Sequence, residues 1–282
     1  PTDTRPAVYV RSDLYYYNLH INARVFASSS NAIKHEGRGT LTLDGGTYST
    51  GNQSSYYAVQ ADDGFRGNLI FESGDIYGGV KIKLNDDQQN ILPTAQLKGN
   101  IYASDSPDDY AIYIDKSIVS ITGELNSTIN QSTNARMLFA TSSAATGLAK
   151  VYFGGTAIQG NKNYQDFCKI DGHVRLHWAG SFLGDESYST TEGNIIGSGS
   201  YLLVDSVFNP GSKAQSAGSD NYCFTLKDGG TLEIRNKVIW TSNQSGEDNG
   251  FVNVEGGKLI LDGASLVNPF FSSSTQDNLG VA

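Results

Sequence analysis

Leu41-Thr42-Leu43-Asp44-Gly45, Leu69-Ile70-Phe71-Glu72-Ser73-Gly74, Val119-Ser120-Ile121-Thr122-Gly123 and Leu259-Ile260-Leu261-Asp262-Gly263 repeat one short pattern. Apolar residues alternate over three or four positions, a polar residue follows, and glycine closes the unit. Weaker copies run from Ala95 to Gly99, Val151 to Gly155, Val174 to Gly180, Leu202 to Ser206 and Leu232 to Asn236. Upstream of each lies a second apolar stretch, such as Tyr57 to Ala61, Val80 to Leu84, Tyr110 to Ile114 or Tyr222 to Leu226. Alternation with period two, in runs of four or five residues bounded by Gly, Asp and Asn, predicts strands and not helices. From Gly45 to Gly263 there are about eight intervals of roughly 27 residues, a period typical of stacked repeats. A propeller blade needs roughly 40 residues or more. About 27 suits one coil of a parallel β-solenoid, in which each coil rests mainly on its neighbours.

Composition agrees. The chain has 282 residues, with Gly 32, Pro 6, Tyr 16, Phe 12 and only 17% charged residues. Helical bundles are richer in charge and in Ala, Glu, Lys and Leu, and collagen needs a three-residue glycine period. A formal net charge of −9 argues against a general nucleic-acid partner, which needs a basic footprint. No apolar run reaches the roughly 18 residues of a spanning helix, so no membrane insertion is expected. Pro1-Thr2-Asp3 has neither an initiator Met nor a signal pattern and reads as the start of an excised, soluble fragment. Cys168 and Cys223 sit about two coils apart, too far for a disulfide, and match no zinc ligand set.

Tyr17-Asn18-Leu19-His20-Ile21, Asn31-Ala32-Ile33, Gly39-Thr40-Leu41-Thr42-Leu43-Asp44-Gly45-Gly46 and Gly229-Gly230-Thr231-Leu232-Glu233-Ile234 give this pattern a family look. It resembles the right-handed parallel β-helices of phage tailspikes, with a pectate-lyase-like fold, over about residues 17 to 268. It is also similar to autotransporter passenger domains. The resemblance implies an all-β, right-handed parallel β-helix of about nine coils. Residues 1–30 would form the entry segment and first coil, 31–268 the β-helix, and 269–282 the exit segment. It implies a homotrimer on the virion tail or at the cell surface, binding bacterial surface polysaccharide (capsule or O-antigen) and acting as a depolymerase if it is an enzyme. A non-catalytic adhesin is the competing expectation. Fold alone assigns no chemistry.

Two constellations could carry chemistry. Acids fall at or just after the upstream strands: Glu36, Asp62, Asp63, Asp86, Asp87, Asp115, Asp171, Asp228 and Glu255. Stacked in register they would form an acidic ladder, and neighbouring carboxylates about 5 Å apart suit retaining glycoside hydrolysis. Asp62, Asp63, Asp86 and Asp87 are the catalytic candidates, with Tyr56, Asp108 and Asp109 beside them as substrate contacts. Turn preference also places Asp at such positions, and clustered carboxylates would equally suit Ca²⁺.

The second is His173-Val174-Arg175-Leu176-His177-Trp178. With Val174, Leu176 and Trp178 inward, His173, Arg175 and His177 share the outer strip. Lys150, Tyr152 and Tyr201 stand on neighbouring coils, with Glu233 and Arg235 beyond them. Such a set could bind an acidic glycan or, as a second alternative, support a polysaccharide lyase, since Arg neutralises carboxylate while Tyr or His moves protons. The substrate-binding candidates here are Tyr152, His173, Arg175, His177 and Arg235. No P-loop, nucleophile elbow, kinase or zincin motif occurs, and no cofactor is expected. Longer insertions, such as Asn85 to Thr94 and Gly184 to Gly193, should project from one side and flank a groove.

Overall fold

In the computed structural model the chain is a parallel β-solenoid. The structure describes residues 5–51, 56–83, 94–102, 110–126, 136–143, 147–159, 167–184, 194–208, 212–213, 221–239, 241–242 and 249–267. Three parallel ladders make up the coils. In the first two coils, Val8–Ile21 and Ile33–Leu43 each span the first and second ladders. Later coils divide them, as in Val59–Ala61 followed by Asn68–Phe71, or Cys168–Gly172 followed by Val174–Trp178. Together these strands form one 18-stranded sheet, and the third ladder is a seven-stranded sheet. Six steps along the third ladder carry the chain from Val25 to Phe182, 157 residues, or about 26 per coil. That sheet counts seven coils, so the expected nine is approximate.

Equivalent positions do lie over one another. Leu43 pairs with Phe71, Phe71 with Leu97, and Leu97 with Ile121, and the file continues through Phe153, Trp178, Val204 and Ile234. All of these are buried. A second inward file runs Leu41, Leu69, Ala95, Val119, Val151, Leu176, Leu202 and Leu232. Burying each such side chain contributes roughly 1.5–3 kcal/mol. Toward the later coils the core turns aromatic. Phe153, Phe167, Trp178, Phe182, Phe208 and Phe224 form a continuous pile with ring centroids 3.6 to 6.2 Å apart. The buried Asn194 is satisfied inside it: its side-chain oxygen accepts from the Phe167 and Cys168 N–H groups, and its amide donates to the Cys223 carbonyl. Cys168 and Cys223 are buried and not disulfide-bonded.

Glycine at the end of the repeat now has a physical reason. At the corner between the second and third ladders, Gly46, Gly74, Gly99, Gly123, Gly155 and Gly180 stack, and backbone passes directly over backbone. A Cβ on Gly155 would stand 1.9 Å from the Gly123 carbonyl oxygen, and one on Gly123 would stand 2.1 Å from that of Gly99. No side chain fits there.

The first ladder corrects one expectation. Its closing positions read Glu36, Asp62, Lys83, Asp115, Thr141, Asp171, Gly197, Lys227 and Glu255. Lys83 and Lys227 take two of the places foreseen for acids, so the file is mixed in sign, which relieves the repulsion a carboxylate ladder would suffer. Lys227 pairs with Glu255 at 2.7 Å and Lys83 lies 3.9 Å from Asp115.

Two stability predictions follow from these packing facts. Gly155→Ala should lower unfolding free energy by about 1–3 kcal/mol, since overpacking forces backbone to move, read as a reduced denaturant midpoint with unchanged slope. The second concerns His35, fully buried against Phe65 and bonded through Nδ1 to the Tyr17 hydroxyl at 2.9 Å. Burial lowers its pKa from 6.5 to about 4. Between those values the unfolded chain binds the proton and the folded chain does not, so stability should fall as pH drops through this window, by on the order of 3 kcal/mol. His35→Phe should flatten that dependence in pH-resolved denaturation.

Candidate functional site

A groove of about 680 Å³ runs along the outer face of the second ladder. Strand pleating builds it. With Val151, Phe153, Leu176 and Trp178 inward, their neighbours must face outward. One outward file is Thr94, Ile118, Lys150, Arg175 and Tyr201, and the next is Gln96, Ser120, Tyr152, His177 and Leu203. Five rungs at roughly 4.8 Å make the groove roughly 19 Å long. Most of the long insertions fall, in sequence, between strands of the third and first ladders. The groove formed by the described residues therefore follows the sheet face and not those insertions.

Tyr152 is 41% exposed and meets the His177 ring edge-on, with centroids 5.4 Å apart. His177 Nε2 lies 3.2 Å from the Asp205 carboxylate, which directly follows the strand one coil on. Beyond this, the Tyr201 hydroxyl donates to Glu233, and Arg235 Nε lies 2.5 Å from the other Glu233 oxygen. Arg235 also approaches Asp262 at 3.7 Å. The Tyr201 hydrogen bond holds the Glu233 carboxyl below the usual range against the opposing effect of burial, and Arg235 adds to it. Burial and the Glu233 bond push the Tyr201 phenol up to about 12, so it stays protonated near neutrality.

The catalytic candidates lie elsewhere. Asp62 and Asp63 occupy the corner leading into Asn68–Phe71, one coil before the groove begins at Thr94, and neither belongs to its lining. Asp62 is buried, Asp63 is exposed with φ 51°, and Glu36 joins them with ligand atoms within 4.8 Å of one another. Lys34 closes the cluster, its ammonium 2.5 Å from Glu36, 3.0 Å from Asp63 and 3.9 Å from Asp62. Despite burial, which lowers it, the Glu36 and Asp63 hydrogen bonds raise the Lys34 pKa. Burial raises that of Asp62, helped by the Asp63 charge and opposed by the Gln60 hydrogen bond. A Ca²⁺ ion here would have to displace an ammonium that already contacts all three carboxylates.

Of the other candidates, Tyr152, Arg175 and His177 line the groove together. His173 is exposed, as its place in the alternation requires, but it stands at the bend before Val174–Trp178 and outside the lining. Arg235 also lies outside the lining, two coils above His177 and ion-paired. Tyr56 is half-buried ahead of Val59–Ala61. Asp86, Asp87, Asp108 and Asp109 lie outside the described residues. Asp205 was not foreseen, although it occupies the post-strand place of Asp44, Glu72 and Asp262. That equivalence was the available signal.

No family model, curated protein or solved structure matches the chain.

Glu233→Gln should bring the Tyr201 phenol down from about 12 toward its ordinary 10, burial alone remaining to hold it up. Ring-carbon NMR titration of a labelled sample measures this.

Proposed function

We propose that the chain is a phage tailspike-like β-helix that recognises bacterial surface polysaccharide, capsule or O-antigen, along the second-ladder groove. In this reading it works as a homotrimer on a virion tail or at a cell surface. One observation carries the proposal: an elongated groove, open along the axis, that offers an exposed tyrosine, hydroxyl and amide side chains and a histidine on rigid strands. Aromatic faces with polar tips suit sugar rings, and hydroxyl-rich ligands need several fixed polar partners.

The reading favours binding over turnover in this groove. Among the described residues, its lining includes no aspartate or glutamate, whereas glycoside hydrolysis ordinarily uses a pair. Of the groups that could serve as the base of lyase chemistry, Tyr201 is engaged as a donor to Glu233. Hydrolysis at Asp62 and Asp63 would need substrate to displace Lys34.

Incubation with capsular and O-antigen polysaccharides, followed by size chromatography and affinity measurement, tests the proposal. Retention of a glycan is expected, with Tyr152→Ala weakening it about tenfold or more, and sedimentation should give the mass of three chains. Retention of no glycan overturns the recognition. Shortened products that vanish in Asp62→Asn would move the chemistry to the acid cluster. Products absorbing in the ultraviolet would point to elimination. A monomer that binds only protein would make the chain an adhesin.

A further inference from the structure

Resting on that reading, we infer that the groove takes a polysaccharide whose anionic groups are isolated from one another, each meeting Lys150 and Arg175 at the groove's centre. The chain as a whole carries a net charge of −9, yet this groove is locally cationic. Lys150 and Arg175 are register partners on adjacent coils, both exposed. The side chain of neither makes a hydrogen bond or ion pair with any described residue. The acids that might have neutralised them are engaged elsewhere: Asp205 with His177, and Glu233 with Tyr201 and Arg235. Two like charges one rung apart repel, and an anion between them removes that repulsion. The planar guanidinium of Arg175 offers paired N–H groups matching a carboxylate or phosphate, while Lys150 supplies a point charge.

The rest of the groove limits the charge pattern. On the N-terminal side the lining is neutral, with Thr94, Gln96, Ile118 and Ser120. Past the other end Asp205, Glu233 and Asp262 are paired with His177 and Arg235, and the next cation of the same file, Lys258, stands three rungs beyond Arg175. A polymer charged at every residue would set its other anions against neutral rungs on one side and against groups already paired with one another on the other. One acidic sugar set among neutral ones places its charge at the centre and neutral rings on both sides. Selection against ligands whose charges are left without partners is a general source of specificity.

Immobilised gellan and xanthan, with isolated uronates, can be compared with polygalacturonate, charged throughout, with neutral dextran, and with whichever bacterial polysaccharide the wider panel retains. Binding is expected to the isolated-anion class or to an acidic bacterial glycan of that type. It should fall about tenfold in Lys150→Gln and in Arg175→Gln, weaken with added salt, and be lost after carboxyl reduction of a uronate glycan. Persistence after reduction, with salt and variant sensitivity kept, assigns the anion as sugar phosphate. Both side chains face solvent, so unchanged melting curves are expected, and Arg175→Lys should restore part of the affinity. Equal retention of neutral glycans, or indifference to both variants, overturns the anionic assignment while polysaccharide recognition stands. Polygalacturonate bound as tightly as the isolated class overturns the spacing argument. Failure to retain any glycan overturns both readings.

Discussion

The middle of the fold depends on close approach of backbone to backbone at one corner of successive coils. Where the second ladder turns into the third, from Gly46 to Gly180, each coil's chain crosses the backbone of the coil before it at a separation that only glycine permits. This contact brings successive coils close at that edge, and the second and third ladders on either side of it stay in register from coil to coil. Slippage by one residue would exchange the buried and exposed sets on every strand of the coil. The apolar files therefore do more than bury area, because they fix which side chains face solvent.

What faces solvent differs from ladder to ladder. On the first, Lys34, Lys83 and Lys227 interleave with acids, and the surface charges are largely satisfied within the protein. Among the described residues, the second ladder leaves Lys150 and Arg175 without side-chain partners in the middle of an otherwise neutral trough. The two surfaces come from the same pleat, and their difference lies in which residues occupy equivalent places. In a repeat protein such a difference marks the stretch where the sequence serves something other than stacking.

The architecture was legible because its cause is local and repeated. Leu41 to Gly45 and Leu259 to Gly263 show the same alternation and the same closing glycine at the two ends of the chain. The outward placement of Arg175 and His177 was legible for the same reason, since alternation with Leu176 and Trp178 leaves no other face. His173 is exposed as alternation with Val174 requires, but it stands at the bend before the strand and outside the groove. The acidic file is mixed in sign because turn-favouring residues align by type in the sequence, whereas hydrogen-bond register puts Lys83 and Lys227 on those rungs. The links of Asp205 to His177, and of Glu233 to both Tyr201 and Arg235, join side chains up to 32 residues apart. They depend on rotamers chosen in three dimensions.

Phe153 and Trp178 end the very strands that display Tyr152 and His177, and their rings belong to the aromatic pile beneath. The floor of the trough is thus anchored to the most densely interlocked part of the interior. In the proposed reading, a flexible sugar chain settling there would lose its own freedom but ask little reordering of the protein, which lowers the entropic cost of the encounter. Stiffness of this kind would then let modest contacts with a long, mobile polymer add up along the axis.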